Sequence, residues 1–337
     1  MKKKIIIVTA VLVCLCMVFT GCQKKKSAGD DKVYQLRIGN TTAPDHCMQV
    51  AIDKMAEKIN ERSGGRINAA AYPSSQLGSL RQMTESVMAN TLEMCTQSMG
   101  GLAAFLPMAS VMEMPFLFDS HEHVYKVVDG DIGRDMNKMV LEKTGIRVMG
   151  YMMNYYRQTT NNVRPINTPA DFRGLTIRVP ETKTVMDTIT AFGANAVPMA
   201  GSELYPAMSQ GVVDGQENPV NIIYAAKYYE VQKYLSLTGH IFGPGILIAS
   251  DKFYMSLPED LRKIVDEEAA NACIFNRSEA ERIDNEMLGD LKKYMQVNEV
   301  ANKEPFRAAV KPVYDEMVKA LGSEAQSFFD RIAAARP

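Results

Sequence analysis

Residues 174–193 read GLTIRVPETKTVMDTITAFG. Leu175, Ile177 and Val179 alternate around Thr176 and Arg178, and the run stops at Pro180, which reads as a short strand. Residues 184–192 follow a helical pattern that Gly193 stops. Working outward, the same order recurs upstream. Tyr34, Leu36 and Ile38 alternate; residues 39–44 form a loop; Met48, Ile52, Met55 and Ile59 recur at helical spacing until Gly64-Gly65. A strand over 66–72, a turn over 73–78, a helix marked by Leu80, Met83 and Val87, and a short strand over 92–96 follow. This β-α-β-α-β order predicts an α/β fold with parallel pairing. A helical stretch over 124–141 leads into a strand over 146–151. A second α/β unit starts near Arg157, with a strand over 157–163, a Thr168 cap ahead of Pro169, a helix over 202–210 stopped by Gly211 and a short strand over 212–216. The stretch 258–295 is one long helical pattern, long enough to bridge two units. At roughly 150 residues per domain, a chain of 337 residues suits two.

Composition narrows the function classes. Apolar residues make up 46% and charged residues 23%, enough for two cores. Lys+Arg number 38 against 39 Asp+Glu, so nucleic acid is not the main partner, because phosphate binding wants a basic excess. The 23 methionines read as core filling. His121-Glu122-His123 lacks the one-turn spacing of a zinc helix, and there is no P-loop, no G-x-G-x-x-G and no G-x-S-x-G. No cofactor and no metal is expected.

The N-terminus reads as an address. Lys2, Lys3 and Lys4 precede an apolar run over 5–19 that is too short to span a bilayer, which takes about 20 residues. Phe19-Thr20-Gly21-Cys22 resembles a bacterial lipobox, with Phe19 where Leu is usual. Residues 1–21 are expected to be a lipoprotein signal peptide, Cys22 the lipidated residue and 22–32 a flexible tether. Cys47, Cys95 and Cys273 remain, an odd and widely spaced set that is no disulfide framework; whether two of them pair stays open.

Arg178 is the informative residue. Inside an apolar strand it is either a surface residue on an edge strand or a strand-end cation aimed into a cleft, where its planar fork holds a carboxylate with two parallel hydrogen bonds. Tyr155-Tyr156-Arg157-Gln158 sets a second arginine among aromatic and amide groups.

Several ordered motifs carry a resemblance. They are residues 174–180, GANAVPM at 193–199, Glu203-Leu204-Tyr205, GVVDGQENP at 211–219, YEVQKYL at 229–235, YPSSQLG at 72–78 and MPFLF at 114–118. Together the chain resembles the DctP-type solute receptors of TRAP transporters, the tripartite ATP-independent periplasmic systems, over about 33–330. The resemblance implies a two-lobed periplasmic-binding-protein fold, a ligand cleft between the lobes and a long bridging helix. It implies lobe I from 33–154 plus 244–283 and lobe II from 155–243 plus 284–337. Arg178 is expected to grip the ligand carboxylate, with Arg157 and Asn218 in contact, His46 and Gln97 opposite, and Tyr155 beside Arg157. Asp214, Gly215 and Pro219 would shape the turn presenting Asn218, and Tyr205 and Tyr229 would pack. Sialic-acid receptors carry Glu and Arg where this chain has Gln97 and Gly100, and an aromatic residue at Gly201, which disfavours sialic acid. Many sugar-acid receptors are acidic at the place of Leu80, but His46 and the segments 168–171 and 235–240 look most like sugar-acid members.

The expected protein is therefore not an enzyme. It is a monomeric, lipid-anchored receptor on the extracytoplasmic face that delivers a small organic acid, such as a uronate or aldonate, to the membrane subunits of a TRAP permease. A receptor for a C4-dicarboxylate or another carboxylate, a receptor for an ATP-driven importer, and an extracytoplasmic sugar-acting enzyme with paired carboxylates remain alternatives.

Overall fold

The alternation at the start of the chain becomes β1 (Tyr34–Gly39), and the apolar stripe after it becomes α1 (Cys47–Arg62), whose Met55, Ile59 and neighbours are buried. The computed structural model describes residues 32–152 and 155–337. The signal peptide, Cys22 and all but the last residue of the tether lie outside the described residues. From Tyr34 onward the chain forms one unit.

The first lobe continues with β2 (Ile67–Tyr72), α2 (Leu80–Met88), β3 (Met94–Ser98), α3 (His121–Val128), α4 (Asp131–Thr144) and β4 (Ile146–Met152). The helical stretch expected over 124–141 is thus two helices. Gly130 caps the second, and Gly133 lets its first turn meet the end of α3, since a Cβ there would stand 1.9 Å from the Val128 carbonyl oxygen.

The second lobe holds β5 (Gln158–Asn161), β6 (Thr176–Val179), α5 (Lys183–Ala191), β7 (Asn195–Pro198), α6 (Gly201–Ser209), β8 (Gly215–Asn218), α7 (Val220–Ala225) and β9 (Tyr234–Leu237). β5 ends early because the Asn161 side chain accepts from the amides of Val163 and Arg164, both at 2.8 Å, and bends the chain. The strand expected over 212–216 starts later: Val212 is 60% exposed in the turn after α6, and pairing begins at Gly215, where a Cβ would meet the Thr160 carbonyl oxygen at 2.0 Å.

The chain then returns to the first lobe as β10 (Gly245–Ser250) and α8 (Asp251–Ser256), runs along α9 (Glu259–Leu291), and re-enters the second as β11 (Gln296–Glu299) before α10 (Glu304–Ala309), α11 (Lys311–Leu321) and α12 (Ser323–Ala334). One sheet has the order β2-β1-β3-β10-β4 and the other β11-β9-β5-β8-β6-β7. β1, β2 and β3 pair in parallel, as the β-α-β order requires, while β10 lies antiparallel between β3 and β4. At 33 residues α9 is about 50 Å long. Its Leu261, Val265, Ala269 and Ala272 share a core with α1 and β1, and its Leu291 shares another with Leu204, Met208, Ile223 and Leu235. One helix therefore joins both lobes. Cys47, Cys95 and Cys273 are separate buried thiols, which answers the pairing question in the negative.

Candidate functional site

A cleft of about 510 Å³ is lined from both lobes. Arg178 reaches it from β6, which runs between β7 and β8. Its Nε and Nη2 donate to the Met199 carbonyl oxygen at 2.9 and 2.6 Å. A guanidinium has five N–H groups, so donors remain unused, and among the described residues no carboxylate lies within ion-pair range. Burial pulls the guanidinium down to about 10, still charged at neutral pH. Gly201 stands beside it: a Cβ there would be 3.9 Å from Nη2, in ordinary contact with the guanidinium.

Arg157 lies just before β5 and is spoken for. It grips Glu217 of β8 with both prongs, Nε to Oε2 and Nη2 to Oε1 at 2.7 Å, and Nη2 also donates to Asn218 Oδ1 at 3.2 Å. Burial opposes charge on both partners, but each outweighs that penalty for the other, so Arg157 is raised and Glu217 is held below the usual carboxylate range. His240 extends the chain: its Nε2 is 3.3 Å from Glu217 Oε2 and its Nδ1 is 2.8 Å from Thr238 Oγ1. Burial lowers His240, so it is neutral at pH 7. Asn218 is fixed in orientation, because its Nδ2 donates to Gln216 Oε1 at 2.5 Å.

The other wall comes from the first lobe. His46 caps α1, its Nδ1 accepting from the Met48 amide at 3.2 Å; burial lowers it to about 4, so it presents a neutral ring. Gln97 donates from Nε2 to Thr84 Oγ1 at 2.8 Å and accepts at Oε1 from the Ser98 amide at 2.9 Å. Asn40, Thr42, Ser74, Ser75 and Ser79 add neutral hydrogen-bonding groups.

The structure thus brings Arg178, Arg157, Asn218, His46 and Gln97 to one cleft. Tyr155 is not among its lining residues: it is 2% exposed, with its ring edge-on to His121 at 5.7 Å. Tyr205, expected only to pack, lines the cleft and donates to Glu230 at 2.7 Å. The sequence reading missed Glu113 and the pairing role of Glu217 and His240. Glu217 sits inside the motif at 211–219 and His240 ends the 235–240 segment, while Glu113 directly precedes the motif at 114–118. A second cavity of about 330 Å³ lies between Phe116 and the C-terminal helices, but its Arg307 and Arg336 both face Asp119, so neither guanidinium is unmatched.

The charge pattern gives the cleft its chemistry: Arg157 is neutralised by a buried acid, Arg81 is paired with Glu85, Arg178 has no acid in ion-pair range among the described residues, and Glu113, Glu181 and many neutral donors and acceptors complete the lining. Comparison with known proteins agrees. The family described as "Bacterial extracellular solute-binding protein, family 7" (DctP) matches residues 38–321. The chain is 32% identical over 242 residues to the 2,3-diketo-L-gulonate-binding periplasmic protein of Escherichia coli K12, covering 72% of this chain and 74% of that one. Its fold matches a TRAP periplasmic solute-binding protein from Polaromonas sp. JS666 bound to D-erythronate, with TM-score 0.84, 37% identity and coverage of 90% and 98%. It also matches one from Roseobacter denitrificans with bound β-D-glucuronate, with TM-score 0.86, 29% identity and coverage of 90% and 100%.

Proposed function

The chain belongs to the DctP family of bacterial extracellular solute-binding proteins, and from that premise we propose that it captures a sugar acid outside the cytoplasm and delivers it to a TRAP permease. The observation that carries this reading is Arg178: a buried guanidinium in the cleft with a backbone carbonyl as its acceptor and no acidic partner among the described residues. An anion supplies the missing partner, and a carboxylate matches the planar fork.

Sugar acids fit better than dicarboxylates. Arg157 is already matched by Glu217, and Arg81 at the rim by Glu85 at 3.1 Å, so the cleft offers one unmatched arginine and many neutral groups. One carboxylate and several hydroxyls complement that set. In this reading Arg178 holds the carboxylate, Arg157 and Asn218 form a rigid shelf on the same side, and His46 and Gln97 meet the hydroxyls from the opposite wall. Lobe I comprises 33–154 plus 244–283 and lobe II 155–243 plus 284–337; they close on the solute about α9. Closure excludes water and strengthens the ion pair, at a desolvation cost. The protein is a monomer with no catalytic step, and Cys22 holds it to the membrane by a lipid.

A thermal-shift screen with D-glucuronate, D-galacturonate, D-galactonate, D-erythronate, succinate and N-acetylneuraminate tests the reading. A ligand bound to the folded state alone adds about 2.7 kcal/mol at 100 times its dissociation constant. Stabilisation by one or more of the four sugar acids is the expected result; stabilisation by succinate or N-acetylneuraminate alone contradicts it.

A further inference from the structure

Glu113 ends the short 3₁₀ segment Pro107–Glu113 and lines the cleft, yet it is 2% exposed. Its carboxyl fills a slot that two glycines leave open. A Cβ on Gly100 would stand 1.6 Å from Oε2, and one on Gly243 would stand 2.3 Å from Oε1. No hydrogen-bond partner reaches Oε2, and among the described residues Glu113 makes no ion pair. The charged groups facing it are Arg157, ahead of β5, and Glu217, on β8. These are committed to each other, and His240 stands behind Glu217 and is neutral. The Ser98 hydroxyl favours the ionised form only slightly. Burial dominates and lifts the carboxyl to about 7. A buried carboxylate oxygen with no partner is costly, and the neutral acid has a proton to donate.

We propose that Glu113 contacts the solute and takes up a proton from water as the solute binds, donating it in a hydrogen bond to a solute oxygen. This rests on the sugar-acid reading above. The balance is simple: the Glu113 carboxylate, one proton from solvent and the solute anion become a neutral Glu113 carboxyl hydrogen-bonded to the bound anion. Two effects drive it. The entering anion adds negative charge to the cleft, and closure removes water; both disfavour a charged Glu113. The sign follows from linkage. Well below pH 7 the carboxyl is already protonated and binding takes up nothing. Near pH 7 binding takes up about half a proton, and above that it approaches one, so affinity falls by up to about tenfold per pH unit. Gly100 and Gly243 leave room for the carboxyl beside the cleft that Glu113 lines.

The test is isothermal titration calorimetry of the purified protein with D-glucuronate, D-galacturonate, D-galactonate and D-erythronate. Each is titrated in phosphate and in Tris, whose ionisation enthalpies differ, from pH 5.5 to 8.5. Proton uptake that rises through a midpoint near pH 7 is expected in wild type, and Glu113→Gln, of nearly the same shape, should abolish it and flatten the pH dependence of affinity. Should Glu113→Gln fail to fold, the wild-type uptake curve decides alone. Binding with no buffer dependence, or the same uptake in a folded Glu113→Gln protein, overturns the inference while leaving the receptor reading intact. No binding of any of the four acids overturns the receptor reading and this inference with it.

Discussion

Arg157 and Glu217 form a buried, two-pronged ion pair, with Nη2 to Oε1 at 2.7 Å, on the floor of a cleft whose other arginine, Arg178, has no acidic partner among the described residues. The contrast divides the labour. Arg157 with Glu217 and His240 is a self-satisfied network that orients Asn218, whereas Arg178 has only the Met199 carbonyl oxygen as its acceptor.

Removing one member of that pair is expected to be severe. Glu217→Gln leaves the Arg157 charge buried and unpaired, which typically costs about 3–5 kcal/mol. Urea unfolding followed by circular dichroism measures it; a loss below about 1 kcal/mol would mean the pair is not sequestered from water. Acid has the same target. Glu217 is held below its unfolded value, so its contribution is fully present above the unfolded carboxylate range, near pH 4.3, and is lost as pH falls through its folded value.

His46 acts in the same sense but over a higher pH range. Burial lowers it to about 4, against an ordinary 6.5. Between those values the unfolded chain binds a proton that the native state refuses, so stability falls as pH drops from about 6.5 toward 4, by about 1–3 kcal/mol. Its imidazole resonances should therefore stay those of a neutral ring from pH 8 down to 5. A His46 that titrates near 6.5 in the folded protein would show that the ring is solvated and not sealed in the cleft wall.

The anchor is tested separately. Cys22→Ser is expected to abolish fatty-acid labelling and move the protein from the membrane to the soluble fraction. The motivating pattern is the charged start, the apolar run over 5–19 and Thr20-Gly21-Cys22. Unchanged palmitate incorporation in the variant would contradict a lipid at that residue.

How much of this was legible in the sequence depended on periodicity. β1, α1 and β6 carry clean two- or 3.6-residue spacing, and each forms close to where that spacing puts it. β10 had no such signal. GILIAS is apolar on both faces because the strand is central and wholly buried, which periodicity alone cannot tell from a buried helix. Val212 misled because an apolar residue in a turn looks like the start of a strand. Arg178 was legible because a charge inside an apolar strand is unusual, whereas Glu113 was not: the glycines that frame it, Gly100 and Gly243, are remote in sequence and meet it only in the fold. Tyr155 was drawn in by its nearness to Arg157, but its ring packs on His121 and it stays out of the cleft lining.

The central claim is that Arg178 holds the solute carboxylate, and calorimetry of Arg178→Ala and Arg178→Lys with the sugar acid that most stabilises the wild type tests it most directly. Removing one partner of a buried charge pair costs about 2–5 kcal/mol, or roughly 30-fold to several thousand-fold in affinity. Arg178→Lys is expected to bind poorly too, because an ammonium cannot reproduce the fork. Ile177 and Val179 keep the strand in the core, so circular dichroism should show both variants folded. Affinity loss of that size in a folded Arg178→Ala protein is the predicted result; wild-type affinity in the same protein would show that Arg178 serves only the strand.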